Sequence, residues 1–158
     1  MKIGLLGLAS SLIGSCLIVG CGVNKESTLQ PISSELLLSA TESWGGETYN
    51  YPAGAAQLTM LRITIQPGAK TPLHSHPQPG MAYLVKGRII CKMLESGLTK
   101  QFESGDAFGT SSRNEIHYCE NNGNEEALAF VGYAGVEGLP VTTPYPEDDA
   151  QAAESNKK

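Results

Sequence analysis

Charge is scarce in this chain of 158 residues: Asp, Glu, Lys and Arg make up 17% of it, and the formal net charge is −5. The Lys and Arg are scattered and outnumbered, 11 against 16 acidic residues, so no basic stripe exists to follow a line of phosphates. That excludes a nucleic-acid binder, whose affinity rests on such a stripe. No stretch of useful length carries apolar residues at a helical period, and no segment repeats, which argues against helical bundles and repeat arrays. Long hydrophobic runs are missing from the body of the chain as well. The one such run, Ile3 to Val19, is 17 residues long and sits at the lower edge of a membrane span, with small residues weakening it further. What is plentiful is turn chemistry, 18 Gly and 9 Pro, and this composition suits a mostly β domain.

The apolar run is preceded by Met1-Lys2 and ends in Ile18-Val19-Gly20-Cys21. An aliphatic residue, two small or aliphatic ones and a Cys resemble the bacterial lipobox. The resemblance implies a signal peptide over 1–20, an acylated Cys21 as the new N-terminus and a polar tether over 21–42. Such a chain is held to the membrane by its acyl groups and does not span it. Gly22, where an Asp would redirect sorting, implies the periplasmic face of the outer membrane. Ser15-Cys16 is a second cleavage candidate that would leave bulky Leu17 after the Cys; a plain secretory signal or an uncleaved anchor are the alternatives.

Beyond the tether, short strands alternate with turns. Leu36-Leu37-Leu38 is placed to open a first edge strand. From Leu58 to Ile65 the residues alternate, with Thr59, Leu61, Ile63 and Ile65 on one face. Further strands are expected over Met81–Lys86, Ile89–Leu94, Leu98–Glu103, Glu115–Glu120 and Ala127–Tyr133. They are punctuated by Gly87, Gly97, Gly105 and the run Asn121-Asn122-Gly123-Asn124. Regular spacing of this kind predicts an all-β sandwich or barrel in one domain over 43–138. The Pro-rich, acidic stretch 139–158 is expected to be a flexible tail.

All three histidines fall in two short segments, His74-Ser75-His76 and Glu115-Ile116-His117. In an extended chain, residues two apart share a face, so His74 and His76 can aim at one point and His117 can complete a three-imidazole metal site. The surrounding pattern resembles the cupin family. Gly68, then His74, His76 and a gap to Gly87 look like its first motif; Gly105-Asp106-Ala107-Phe108, His117 and Asn121 look like its second. The resemblance implies a double-stranded β-helix, the cupin jelly roll, with one divalent metal inside, iron, manganese, nickel and zinc being equally admissible. It also implies a small polar ligand in the barrel and a homodimer. Two departures stand out. The place of the usual carboxylate, four residues after the second His, is Gly80; and Ser111 and Arg113 stand where the second motif has Pro and Gly. Gln78, between two prolines, offers either a carbonyl oxygen or a rigid turn. Three His without the carboxylate also resemble the thiol dioxygenase branch, although Arg62, Arg88 and Arg113 carry no mark of its substrate-binding positions. No general base is identified, and Tyr83 and Tyr118 read as packing residues.

Cys91 and Cys119 remain in the body. Buried free thiols, a disulfide between neighbouring strands and a soft metal ligand are all compatible with their positions. Function reads as an exported, lipid-anchored metal-binding barrel. A non-catalytic envelope module and a three-His dioxygenase-like oxidoreductase are its alternatives; isomerase or lyase chemistry is equally open to such a metal, and a structural lipoprotein whose barrel mediates dimerisation is a third reading.

Overall fold

The computed structural model describes residues 32–146. Among the described residues nine strands lie in the unit that begins at Glu35. They are β1 (Ala56–Ile65), β2 (His74–Ser75), β3 (Gly80–Lys86), β4 (Arg88–Met93), β5 (Thr99–Glu103), β6 (Ala107–Gly109), β7 (His117–Glu120), β8 (Ala127–Val136) and β9 (Thr143–Pro144). Two antiparallel sheets form, one in the order β1-β8-β3-β6 and the other β5-β4-β7-β2-β9. This is the all-β architecture that the strand spacing predicts, in the two-sheet jelly-roll form that the cupin resemblance implies. Among the described residues no helix is long and apolar enough to cross a membrane. The expected signal peptide, Cys21 and most of the expected tether lie outside the described residues.

Alternation governs which side chains enter the barrel. On β1 the odd-numbered residues Thr59, Leu61, Ile63 and Ile65 are half-buried while Leu58, Met60, Arg62 and Thr64 face out. On β3 the even residues Gly80, Ala82 and Leu84 are buried. Two apolar clusters result. One joins Leu84, Ile89, Cys91, Phe102 and Ala127; the other joins Ala82, Val131 and Tyr133. Phe108 packs against both and stacks on Phe102 with ring centroids 3.7 Å apart.

Turn residues fix the register. Gly87, at φ 81°, links β3 to β4, and a Cβ there would lie 2.8 Å from the Ala127 backbone, so both the angle and the close approach demand glycine. Asn121 is fully buried and closes the turn before β8. Its amide donates to the carbonyls of Ile65 and Glu125, and its side-chain oxygen accepts from the Gly123 N–H.

Three expectations change. Leu36-Leu37-Leu38 forms no strand; the chain there is irregular, and Leu36 and Leu37 are exposed. A run of three leucines has no two-residue alternation, so no single face is offered to a sheet. The stretch expected as a tail over 139–158 pairs with the barrel near its start: Thr143–Pro144 pairs with His74–Ser75, and Tyr145 N–H donates to the Leu73 carbonyl. Proline can serve in this short edge strand because its missing N–H need not face a neighbour. Finally, the body begins before Ser43, with Glu42 bridged to Thr48 in a tight loop that carries Trp44.

Candidate metal centre

The three histidines converge because two independent constraints bring them to one face. His74 and His76 straddle Ser75 in extended chain, and antiparallel pairing of β2 with β7 sets His74 directly opposite His117. Ring centroids are 4.4 Å apart for His74 and His117, 4.9 Å for His74 and His76, and 5.3 Å for His76 and His117. One ring nitrogen from each lies within 4.8 Å of the others. His76 and His117 are buried, each 4% exposed.

Hydrogen bonds orient each ring. His74 Nδ1 is 2.8 Å from the Pro72 carbonyl, and His76 Nδ1 is 2.8 Å from the Val141 carbonyl. A carbonyl only accepts, so both rings carry their proton on Nδ1 and present a bare Nε2. His117 Nδ1 lies 2.7 Å from Ser111 Oγ and 3.3 Å from the Glu115 carbonyl, which gives it the same tautomer. Neutral imidazoles whose distal nitrogen is held by protein oxygens are the donor set that a divalent metal uses. Burial holds His76 down to about 4, with the Val141 bond opposing it. Burial and then the two neighbouring rings hold His117 down to about 3. Burial likewise lowers His74 from its ordinary value. The residues present therefore fit a metal ion.

The carboxylate missing from the sequence is missing from the site. A Cβ on Gly80 would lie 2.6 Å from the Tyr133 ring and 2.8 Å from Thr110 Oγ1, so a larger residue there would have to displace them. Glu115 is occupied elsewhere: its oxygens accept from Ser43 Oγ at 2.7 Å and Ser112 N–H at 2.7 Å, which ties the Trp44 loop to the segment before β7. Ser112 Oγ bonds Glu47 in the same network. Trp44 itself packs edge-on against His117, with centroids 6.1 Å apart.

The rings face an interior cavity of about 110 Å³ whose other walls are mainly apolar, among them Leu61, Ile63, Phe108 and Val131. His76 also lines an outer groove of about 570 Å³ together with Gln78, Arg113 and Asn114. Gln78 thus lies in the groove and is not among the residues lining the inner cavity. Arg62 faces out from β1, Arg88 lines a groove between Gly87 and Glu103, and Arg113 reaches the Pro77 carbonyl at 3.3 Å. None of the three lines the cavity. Tyr118 faces away from the rings, under Lys70 Nζ at 5.3 Å. Cys91 and Cys119 are register partners on β4 and β7, with Cα atoms 4.0 Å apart and their sulfurs bonded.

Sequence reasoning missed Ser111, Thr110, Trp44 and Val141. Ser111 was visible only as a departure from a motif. Val141 had no signal at all, since its contribution is a backbone carbonyl.

Comparison with known proteins finds a family model that matches somewhat less than half of the chain. Residues 61–133 match the family model of the cupin domain. No curated protein matches the sequence. Among solved structures, the chain is similar to a cupin 2 domain-containing protein from Halorhodospira halophila, at 14% identity and TM-score 0.49, over 63% of this chain and 66% of that one. It is also similar to the Bacillus subtilis oxalate decarboxylase described for its Mn(II) centres, at 23% identity and TM-score 0.48. That match takes in 60% of this chain but only 27% of the other, so this chain spans about a quarter of that protein's length. The cupin domain of Schizosaccharomyces pombe Cnp3 matches at 16% identity and TM-score 0.44, over 49% of this chain and 52% of that one.

Proposed function

We propose that this cupin domain belongs to an exported, lipid-anchored envelope protein that holds one divalent metal on His74, His76 and His117 and a small molecule in the barrel beside it. One observation carries the metal reading: all three Nδ1 atoms meet protein oxygens, leaving three bare nitrogens on one cavity. A bound ion would supply Lewis acidity and open coordination positions. The chain's own residues fix the ring tautomers, keep the imidazoles unprotonated and exclude bulk water through the apolar wall.

A binding module without turnover is the second reading. It is favoured by the cavity lining, which includes no carboxylate, Lys or Arg to move a proton. The neutral three-imidazole set leaves a dioxygenase-like oxidoreductase as the catalytic form of the proposal.

Lipid attachment at Cys21 and the periplasmic location rest on the lipobox alone. A homodimer is supported by the outer face of the β1-β8-β3-β6 sheet, where Leu58, Met60, Met81 and Phe130 stand exposed. The deciding experiment is metal analysis of purified protein after incubation with iron(II), manganese, nickel or zinc. About one equivalent of one of them is expected, and less than a tenth of an equivalent of every one defeats the metal reading. Labelling with a fatty-acid analogue, lost in Cys21→Ala, checks the anchor separately.

A further inference from the structure

Two buried polar atoms among the described residues have no hydrogen-bond partner, Gln78 Oε1 and Thr110 Oγ1. Gln78 packs under Gly135 in the outer groove. Thr110, 5% exposed, lines the inner cavity that the three imidazoles face. Its hydroxyl lies on the side of β3 left open by Gly80, next to the Tyr133 ring. Of the other hydroxyls in the wall, Ser111 is committed to His117 and Thr71 to the Cys119 N–H, while Tyr133 and Thr142 also line it; among them only the Thr110 oxygen is both buried and without a partner. The Tyr49 phenol lies beside the Thr110 side chain, but its proton goes to the Thr110 carbonyl and no well-formed hydrogen bond reaches Oγ1. A buried hydroxyl so placed has given up its hydration for little unless something in the cavity restores the bond.

The rest of the cavity limits what that something can be. No charged side chain lines it, so an ammonium group would meet no counter-ion and a second carboxylate would meet no cation. Its volume of about 110 Å³ is below the roughly 150 Å³ at which a dry apolar cavity admits benzene. Scaled from benzene's six, room is left for about four non-hydrogen atoms.

We propose that the cavity binds a small, mostly apolar molecule bearing one oxygen acceptor, and that Thr110 is its positioning residue, donating Oγ1–H to that oxygen. The proposal rests on the ligand-holding barrel described above and narrows its ligand from a polar molecule to a largely apolar one. It excludes zwitterions and dicarboxylates as ligands of the inner cavity.

The test measures dissociation constants by ligand-observed NMR on the metal-free and the zinc-incubated protein, with isobutane, acetone and isopropylammonium, four non-hydrogen atoms each, as probes. Isobutane and acetone are expected to bind, and isopropylammonium to bind at least tenfold more weakly than the ketone. Thr110→Val should weaken acetone about five- to tenfold with isobutane unchanged, while Thr110→Ser restores the ketone. Thermal unfolding of each variant verifies that the fold is kept. Equal affinity for the ammonium probe, or a ketone affinity indifferent to Thr110→Val, overturns the proposal. Because the metal-free protein is measured too, loss of zinc binding with the probe pattern intact would defeat the metal reading alone; zinc binding without the probe pattern would defeat this proposal alone.

Discussion

At the residue scale, the imidazoles are ligands by virtue of what holds their far side. Removing the Ser111 hydroxyl should leave His117 in place but free to turn, so Ser111→Ala is expected to weaken metal binding about 10- to 100-fold in a competitive chelator titration. His117→Ala removes a donor and should abolish stoichiometric binding in the same titration. Protonation adds a second consequence. Unfolded histidine takes up its proton near pH 6.5, whereas His76 and His117 in the fold resist it to about 4 and about 3. Between those values the unfolded chain binds more protons, so the metal-free protein must lose stability as pH falls from about 6.5 towards 4. The slope should be roughly 1–3 kcal/mol per pH unit, read from urea midpoints, and flat above pH 7. The pair His74-x-His76 was legible as a candidate from spacing alone, but Ser111 was not, because a serine's partner is chosen by a fold and not by its neighbours in sequence.

At the element scale, the short strands β2 and β9 matter more than their length suggests. Strand β9 brings no ligand side chain, yet the segment leading into it supplies the Val141 carbonyl that orients His76. A chain ending at Pro140 should bind metal at least tenfold more weakly than the full chain, while one ending at Pro146 should match it; equal affinity for both would show the segment to be dispensable. The turn after β7 depends on one side chain. Asn121→Ala would strand two carbonyls and the Gly123 N–H, a cost of roughly 2–4 kcal/mol visible as a lowered unfolding temperature. Strands β1, β3, β4, β5, β7 and β8 could be read from alternation and glycine punctuation, with ends shifted by a few residues. The pieces β2, β6 and β9, two or three residues each, are too short to carry a period and exist only because neighbouring strands offer them hydrogen bonds.

At the scale of the whole molecule, the sheets close around two apolar clusters, and one covalent link crosses the second sheet. The 28-residue separation of Cys91 and Cys119 implies about 3–4 kcal/mol of stabilisation from restricting the unfolded chain. Reduction with dithiothreitol should lower the urea midpoint accordingly, and Cys91→Ala/Cys119→Ala should reproduce the shift without reductant. The outer face of the first sheet gives a further expectation: Met60→Glu/Phe130→Glu should convert the proposed dimer to a monomer by light scattering, with metal stoichiometry unchanged.

By itself the sequence determined the class of fold, the inward face of its longest strands and the three imidazoles, because alternation, turn residues and a two-residue spacing are local properties written along the chain. Tertiary structure alone decided that the tail's first residues close over His76, that Trp44 and Ser111 brace His117, and that an unpaired Thr110 hydroxyl and the Tyr133 ring fill the place of a carboxylate. Those contacts join residues as many as 73 positions apart, as between Trp44 and His117, and no local pattern encodes which backbone oxygen will meet which ring.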